Sequence, residues 1–91
     1  MVTIYVDDLR TWNGKRWCHL VATSLDELDY FATVRLHLKP EWKQSNGRYT
    51  HYDLSPRLRH DALVRGAKYL PTRELLARVR PMESKDKEKN R

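Results

Sequence analysis

Ionisable side chains gather at two short stretches of the sequence. Asp7 and Asp8 follow an alternating apolar segment, and His51, Tyr52 and Asp53 precede a Ser-Pro pair. Carboxylates at the end of a buried strand can hold a divalent metal ion or act as a general base. They can equally cap the following turn, because aspartate is a good turn former. The Asp7-Asp8 pair alone leaves both interpretations open.

The spacing in the second stretch suits a shared site. If residues 50–53 are extended, His51 and Asp53 project from the same face, because side chains alternate along a strand. Such a pair can bind one metal ion, or the carboxylate can orient the imidazole. The alternative makes Asp53 a turn or helix cap and His51 a surface residue. The cofactor is left open, a divalent metal being the candidate, with the ligands Asp7, Asp8, His51 and Asp53.

His19 stands next to Cys18, the single cysteine of the chain. Neighbouring residues of a strand point to opposite faces, so these two cannot share one metal ion. The absence of a C-x-x-C pair disfavours structural zinc, and a buried thiol is the more common role for a lone cysteine. His19 is instead predicted to assist proton transfer. The candidate catalytic residues are thus Asp7, Asp8, His19, His51 and Asp53.

Basic and aromatic side chains offer a candidate surface for a polyanion. The formal net charge is +6, and residues 31–80 hold eleven Lys or Arg against four Asp or Glu. Trp42 stands in a basic loop, and Arg59 lies near a helix start whose free amides favour an anion. The candidate ligand-binding residues are Arg10, Trp42 and Arg59. The alternative is a solvated basic face that serves solubility.

The first half of the chain predicts a hairpin and a helix. Residues 2–7 alternate as in a first strand, and Asn13-Gly14 is a turn signal before a second strand, Arg16–Thr23. Ser24 opens a capping box with Glu27, and the helix that follows is predicted to end near residue 35. Residues 39–49 are predicted to form a loop.

The second half predicts two more helices with one or two further short strands, at residues 50–53 and 68–70. Ser55 as cap, Pro56 as first helical residue and Gly66 as left-handed end delimit a second helix. Thr72 is predicted to cap a third. The expected fold class is therefore α/β (α+β), a small single domain over residues 1–80, with a disordered charged tail at residues 81–91.

Composition narrows the setting in which the protein works. A chain of 91 residues is the size of one domain. With a single cysteine no internal disulfide forms, which fits a reducing compartment. No apolar run reaches the length of a membrane span and no signal-peptide pattern opens the chain. A cytoplasmic location without a membrane partner is expected.

These residues together resemble a known family of small bacterial and phage proteins, catalogued as domain of unknown function 4031. The similarity covers about Thr3 to Tyr69, and family members are expected to end soon after Gly66-Ala67. The residues that carry it are Tyr5-Val6-Asp7-Asp8, Arg10, His19, Glu27-Leu28, Trp42, His51-Tyr52-Asp53, Arg59 and Gly66-Ala67. The family has no established activity. Its mostly ionisable pattern nevertheless implies a functional site, because a fold alone needs apolar positions.

Three classes of function fit the sequence. The first is binding of nucleic acid or a phosphorylated ligand at the polar Asp/His/Arg site, with aromatic residues stacking on bases. The second is a metal-dependent phosphoester hydrolase or small nuclease, in which Arg59 neutralises the phosphate. The third is a phage-type modulator that binds a host protein. Whether the protein is an enzyme, and its oligomeric state, are left open.

Overall fold

Five strands and three helices make up residues 3–44 and 50–78, the part of the chain that the computed structural model describes. The strands are β1 (Ile4–Val6), β2 (Arg10–Trp12), β3 (Lys15–Ala22), β4 (Tyr52–Leu54) and β5 (Lys68–Tyr69). The helices are α1 (Leu25–Tyr30), which continues as a π-helical segment over Phe31–Arg35, α2 (Pro56–Val64) and α3 (residues 72–78). A 3-10 turn spans Pro40–Trp42. The expected mixed α/β fold class is confirmed.

The sheet is built around β3, which pairs with three other strands. β1 and β2 lie end to end along one edge of β3, and β4 pairs with its other edge, all antiparallel. β5 runs parallel to β1 on the outer side. The predicted hairpin between the first two long strands of the sequence is therefore present as β1 with β3.

The chain between β1 and β2 holds one residue more than the strand opposite. Val6 pairs with Leu20, whereas Arg10 pairs with Trp17, so residues 7–9 face only two residues of β3. An extra residue of this kind is a β-bulge, which bends a strand and turns its side chains in a new direction.

The hairpin turn lies at the residues that the sequence indicates, but the strand before it, β2, was not predicted. Asn13 and Gly14 have φ angles of 55° and 78°, the left-handed conformation that a two-residue hairpin turn requires. The sequence predicts a turn at Asn13-Gly14 but no strand directly before it, whereas Thr11 and Trp12 belong to β2. The aspartates of the bulge interrupt the alternation of β1, which hides the continuation of the strand.

The two faces of the sheet are covered differently. Leu20 lies on one face, where α1 and α2 pack to form the main core together with Leu28. Tyr5 and Val21 lie on the other face, where Leu75 of α3 completes a smaller apolar cluster. The hairpin end of the sheet is not covered, since all residues of β2 and the first two residues of β3 are exposed.

The start of α1 is set by a capping side chain, whereas the chain after its end turns at a residue that the sequence does not single out. The Ser24 hydroxyl accepts a hydrogen bond from the Glu27 amide at 3.5 Å, and the helical segment ends at Arg35, both as predicted. The chain then turns at His37, whose φ is 59°. Glycine is usual in this left-handed position after a helix, so the histidine there was not expected. His37 is exposed, as is His60 of α2.

The start and end of α2 confirm the sequence prediction. The Ser55 hydroxyl accepts a hydrogen bond from the Leu58 amide at 3.3 Å, and Pro56 is the first helical residue. Gly66 has a φ of 111°, and the Ala67 amide donates to the Ala62 carbonyl at 2.9 Å, which closes the helix. Only glycine adopts this φ at little cost, so the helix ends here.

The start of α3 corrects a prediction. Thr72 is its first helical residue and not its cap, since the Pro71 carbonyl accepts the first helical hydrogen bond, from the Leu75 amide at 3.0 Å. The Thr72 amide donates to the Asp8 carboxylate at 3.3 Å instead. A side chain from the end of a distant strand thus occupies a free amide of this helix.

Parts of the sequence prediction fall outside the described residues. These are the tail at residues 81–91, the end of the third helix and residues 45–49 of the basic loop, so the domain boundary at residue 80 stays a prediction. Within residues 3–44 and 50–78, no helix has both the length and the apolar character needed to cross a membrane.

Candidate metal and ligand site

Asp7 is the buried centre of the polar cluster. It lies in the bulge directly after β1 and is fully buried. One carboxylate oxygen accepts the His19 amide at 2.6 Å, and the other accepts the His19 ring N–H at Nδ1, also at 2.6 Å. The Thr72 hydroxyl donates to this second oxygen at 3.0 Å. Asp7 therefore fixes the orientation of the His19 ring and joins β1, β3 and α3.

The pKa of Asp7 reflects two opposing effects. Burial alone raises the pKa of the carboxyl, because it disfavours the charged form. Hydrogen bonds from the side chain and amide of His19, the charge of His19 and the Thr72 hydroxyl outweigh burial, so that the pKa is lowered from its ordinary value. The carboxylate is consequently ionised at neutral pH.

His51 and Asp53 lie beside His19 on the open face of the sheet. The antiparallel pairing of β3 with β4 sets Asp53 opposite His19. His51 precedes Asp53 by two residues, and its Nε2 lies 3.4 Å from the Asp53 carboxylate. The two imidazole rings meet edge to face with their centroids 5.0 Å apart. The backbone of His51 is fixed by two hydrogen bonds with that of Gln44.

The side chains of His19, His51 and Asp53 can act together as metal ligands. One donor atom from each lies within 4.8 Å of the others. Two imidazoles and one carboxylate are a common ligand set for divalent transition metals. The carboxylate of Asp7 behind His19 has the position of an outer-sphere partner, which fixes the ring and raises its basicity as a ligand.

A cleft of about 370 Å³ lies next to these residues. The cleft is lined by two aromatic residues, one arginine and several polar side chains. These are Trp12, Trp17, Arg10, Thr11, Cys18, His19 and Asp53. Burial raises the pKa of the Cys18 thiol to about 12, so the thiol is protonated at neutral pH and is no nucleophile. A ligand in this cleft reaches His19 and Asp53 directly.

Asp8 and Arg59 support the cluster from its other side. The Asp8 carboxylate accepts the Tyr69 hydroxyl at 2.6 Å, and this hydrogen bond raises the pKa of Tyr69. The Arg59 Nε donates to the Asp7 carbonyl at 2.9 Å, and its guanidinium lies 5.7 Å from the centre of the Tyr69 ring. Both residues thus hold the bulge in place.

The structure brings together most of the residues that the sequence singled out. Asp7, His19, His51 and Asp53 form one cluster, and Arg10 lines the adjoining cleft. The metal-ligand role predicted for Asp7 and Asp8 stays a prediction, but hydrogen bonds already engage both carboxylates. His19, predicted for proton transfer, joins the group of possible ligands.

Trp42 lies apart from this cluster. It stands on the 3-10 turn, half-exposed, with the Lys39 ammonium 5.6 Å from its ring centre. Trp12 and Trp17 line the cleft instead, and the sequence interpretation did not select them. A signal was present for Trp17, which precedes His19 by two residues and therefore shares its face of the strand. The sequence held no comparable signal for Trp12, because the strand that contains it, β2, was not predicted.

The fold and the cluster define a class of small mixed α/β protein with an Asp-His site on the open face of its sheet. The sequence model of a family described as "Protein of unknown function (DUF4031)" matches residues 4–82, and the chain belongs to this family. The resemblance is thereby confirmed. The expectation that family members end soon after Gly66-Ala67 is wrong, since the match continues beyond it. No curated protein and no solved structure matches the chain.

Proposed function

We propose that the protein binds a divalent transition-metal ion through His19, His51 and Asp53 and hydrolyses a phosphoester beside it. The observation that carries the proposal is the convergence of three ligand atoms within 4.8 Å, next to the cleft. The 2.6 Å contact from Asp7 to the His19 ring supports it, because ligand histidines commonly donate their second ring N–H to a carboxylate.

The reaction consumes one water molecule. His19, His51 and Asp53 would hold the metal ion, which would lower the pKa of a bound water and so supply a hydroxide nucleophile near neutral pH. Hydrolysis forms a bond from the water oxygen to phosphorus and breaks the ester P–O bond. The leaving alkoxide takes up the proton that the water has lost, which gives an alcohol and a phosphate with one ester bond fewer. Asp7 keeps the His19 ring in one orientation throughout.

The charge of the cleft supports a phosphate-bearing substrate. Arg10 lines the cleft, and the chain as a whole carries a formal net charge of +6. A guanidinium is suited to phosphate oxygens, which it contacts through two parallel hydrogen bonds. Electrostatic stabilisation by Arg10 would act on the negative charge of the non-bridging phosphoryl oxygens during hydrolysis.

Metal binding is tested by titration calorimetry with Zn²⁺ and Mn²⁺ on the wild type, His51→Ala and Asp53→Asn. We expect one ion per chain in the wild type and at least tenfold weaker binding in both variants. His60→Ala is the matched control, because His60 is an exposed histidine on α2 and should leave the affinity unchanged.

Turnover is tested with a chromogenic phosphodiester and phosphomonoester in the presence and absence of the bound metal. Metal-dependent release of the alcohol that disappears in His51→Ala supports the proposal. Metal binding without turnover would reduce the role to ligand binding at the same cleft, which Arg10 and the two tryptophans favour as the second function. No metal binding by the wild type would remove the proposal.

A further inference from the structure

The β2–β3 hairpin carries tryptophans and cations on one face. Arg10 is paired with Trp17, and Trp12 with Lys15. Directly opposed residues of an antiparallel pair share a face, as do residues two apart along a strand. All four side chains therefore belong to the same face. His19 belongs to it too, since it follows Trp17 by two residues on β3.

This face of the hairpin is open to solvent. Trp12 is 71% exposed and Trp17 half-buried, while Arg10 and Lys15 are exposed. Neither tryptophan belongs to the described apolar clusters. A single exposed tryptophan needs no explanation, but two that line one cleft with an arginine form a combined surface. Aromatic rings beside cations are suited to a ligand that is both flat and anionic.

We infer that this face binds single-stranded nucleic acid, with Trp12 and Trp17 stacking on bases while Arg10 and Lys15 contact phosphates. Stacking of this kind needs unpaired bases, which a duplex keeps covered. The inference deepens the proposed function, because it rests on that function for the cleavage step and names its substrate class.

The distance to the candidate metal site fits a strand laid along the hairpin. Trp17 and His19 are two residues apart on β3, about 7 Å along the strand. His19 in turn is paired with Asp53. A nucleotide whose base lies on Trp17 therefore has its backbone next to His19 and Asp53, two of the three proposed metal ligands.

A second cationic cleft continues the path in the other direction. Arg10 also lines a neighbouring cleft with Arg73, Thr72, Leu76 and Ala77 of α3. Arg10 thus stands between the two clefts. A nucleic-acid strand that extends from the hairpin past Arg10 would place its next phosphates near Arg73. The basic surface would therefore continue from the hairpin onto α3.

Binding is measured by fluorescence anisotropy of labelled 12-mers with a chelator present, so that no metal contributes. The probes are single-stranded DNA, single-stranded RNA and a duplex DNA, each at two salt concentrations. We expect the single strands to bind at least tenfold more tightly than the duplex, and more weakly as salt rises. The DNA and RNA arms decide which of the two single strands is preferred.

Matched variants locate the surface. We expect Trp12→Ala and Arg10→Ala each to weaken single-strand binding at least tenfold. Trp42→Ala, which removes an exposed tryptophan beside a lysine away from the cleft, should leave it unchanged. Circular dichroism checks that the variants are folded, and Trp12→Phe, which keeps a stacking ring, should restore most of the affinity.

The outcomes separate this inference from the proposed function. Single-strand binding that depends on Trp12 but occurs in a protein without metal affinity supports the surface and removes the hydrolase. Metal-dependent turnover of small phosphoesters with no single-strand binding removes the surface alone. Equal affinity for duplex and single strand, or an equal loss in Trp42→Ala, also overturns the inference.

Discussion

At the scale of single residues, Asp7 links the site to the fold. Its carboxylate has three hydrogen bonds to groups on β3 and α3, and its carbonyl has one from Arg59. Ionised carboxylates accept stronger hydrogen bonds than neutral groups. The same side chain that orients His19 therefore also stabilises the packing of α3 on the sheet.

Asp7→Asn tests this double role. We expect a loss of about 2 kcal/mol in the free energy of unfolding at pH 7, because the buried amide cannot satisfy all the donors that face it. The folded-state pKa of Asp7 lies below its ordinary value of 3.8, so its contribution is present above pH 3.8 and is lost as the pH falls through the folded-state pKa. Urea unfolding at pH 7 and at pH 3 measures the difference.

The control for this variant is Asp26→Asn, a change at an exposed carboxylate of α1. It should alter stability by less than about 1 kcal/mol at either pH. A gap between wild type and Asp7→Asn that stays constant down to pH 3 would show that the charge of Asp7 is not what stabilises the fold.

Cys18 gives the protein a specific sensitivity to alkali. The unfolded thiol ionises near its ordinary pKa of 9.0, whereas the buried thiol stays protonated up to about 12. Between these values the unfolded state binds fewer protons, so the free energy of unfolding falls by about 1.4 kcal/mol per pH unit from this group. We expect Cys18→Ala to remove this part of the fall. Urea unfolding at pH 8, 9 and 10 measures it, and equal slopes in both proteins would contradict it.

At the scale of elements, the hairpin of β2 and β3 depends on its turn. Gly14 has a φ of 78° and no atom near the position of an added Cβ, so a substitution there meets backbone strain and no clash. We expect Gly14→Ala to lower stability by about 1 kcal/mol. Asn13→Gly, which relaxes the neighbouring left-handed residue, should not destabilise. Thermal unfolding compares them, and equal melting temperatures for wild type and Gly14→Ala would argue against a strained turn.

Elements whose ends are set by neighbouring residues were predictable from the sequence. Ser24, Ser55-Pro56 and Gly66 act within a few residues of themselves, and each has the role that the sequence indicates. β2 was missed because the bulge breaks the period of two. Thr72 was misread because its partner, Asp8, is 64 residues away in the chain.

The site was predictable to the same extent. The proximity of His51 and Asp53 follows from the alternation of side chains along one strand. In the structure, His51 Nε2 lies 3.4 Å from the Asp53 carboxylate. The contact between Asp7 and His19 depends on how β1 aligns with β3 and on the extra residue in the bulge. Neither the strand alignment nor the extra residue can be read from the spacing of nearby residues. The sequence therefore indicated Asp7 and His19 as site residues but did not predict the contact between them.

At the scale of the whole molecule, metal binding should be visible as stability. A ligand that binds only the folded state and is present at one hundred times its dissociation constant adds about 2.7 kcal/mol. For a domain of this size that corresponds to a rise of about 10 °C or more in melting temperature. We expect this rise with Zn²⁺ or Mn²⁺ in the wild type. A His51→Ala/Asp53→Ala double variant should lack it, and the same rise in both proteins would place the ion elsewhere.

The alternation of β3 has a consequence for how this chain can change its length. His19 faces the site, while its neighbours Cys18 and Leu20 face the core. Insertion or deletion of one residue between Trp17 and Ala22 would exchange the two sets of side chains, which puts a histidine into the core and a leucine into the site. Relatives should therefore keep this segment at constant length. Their insertions should fall at the Asn13-Gly14 turn or in the loop after residue 39.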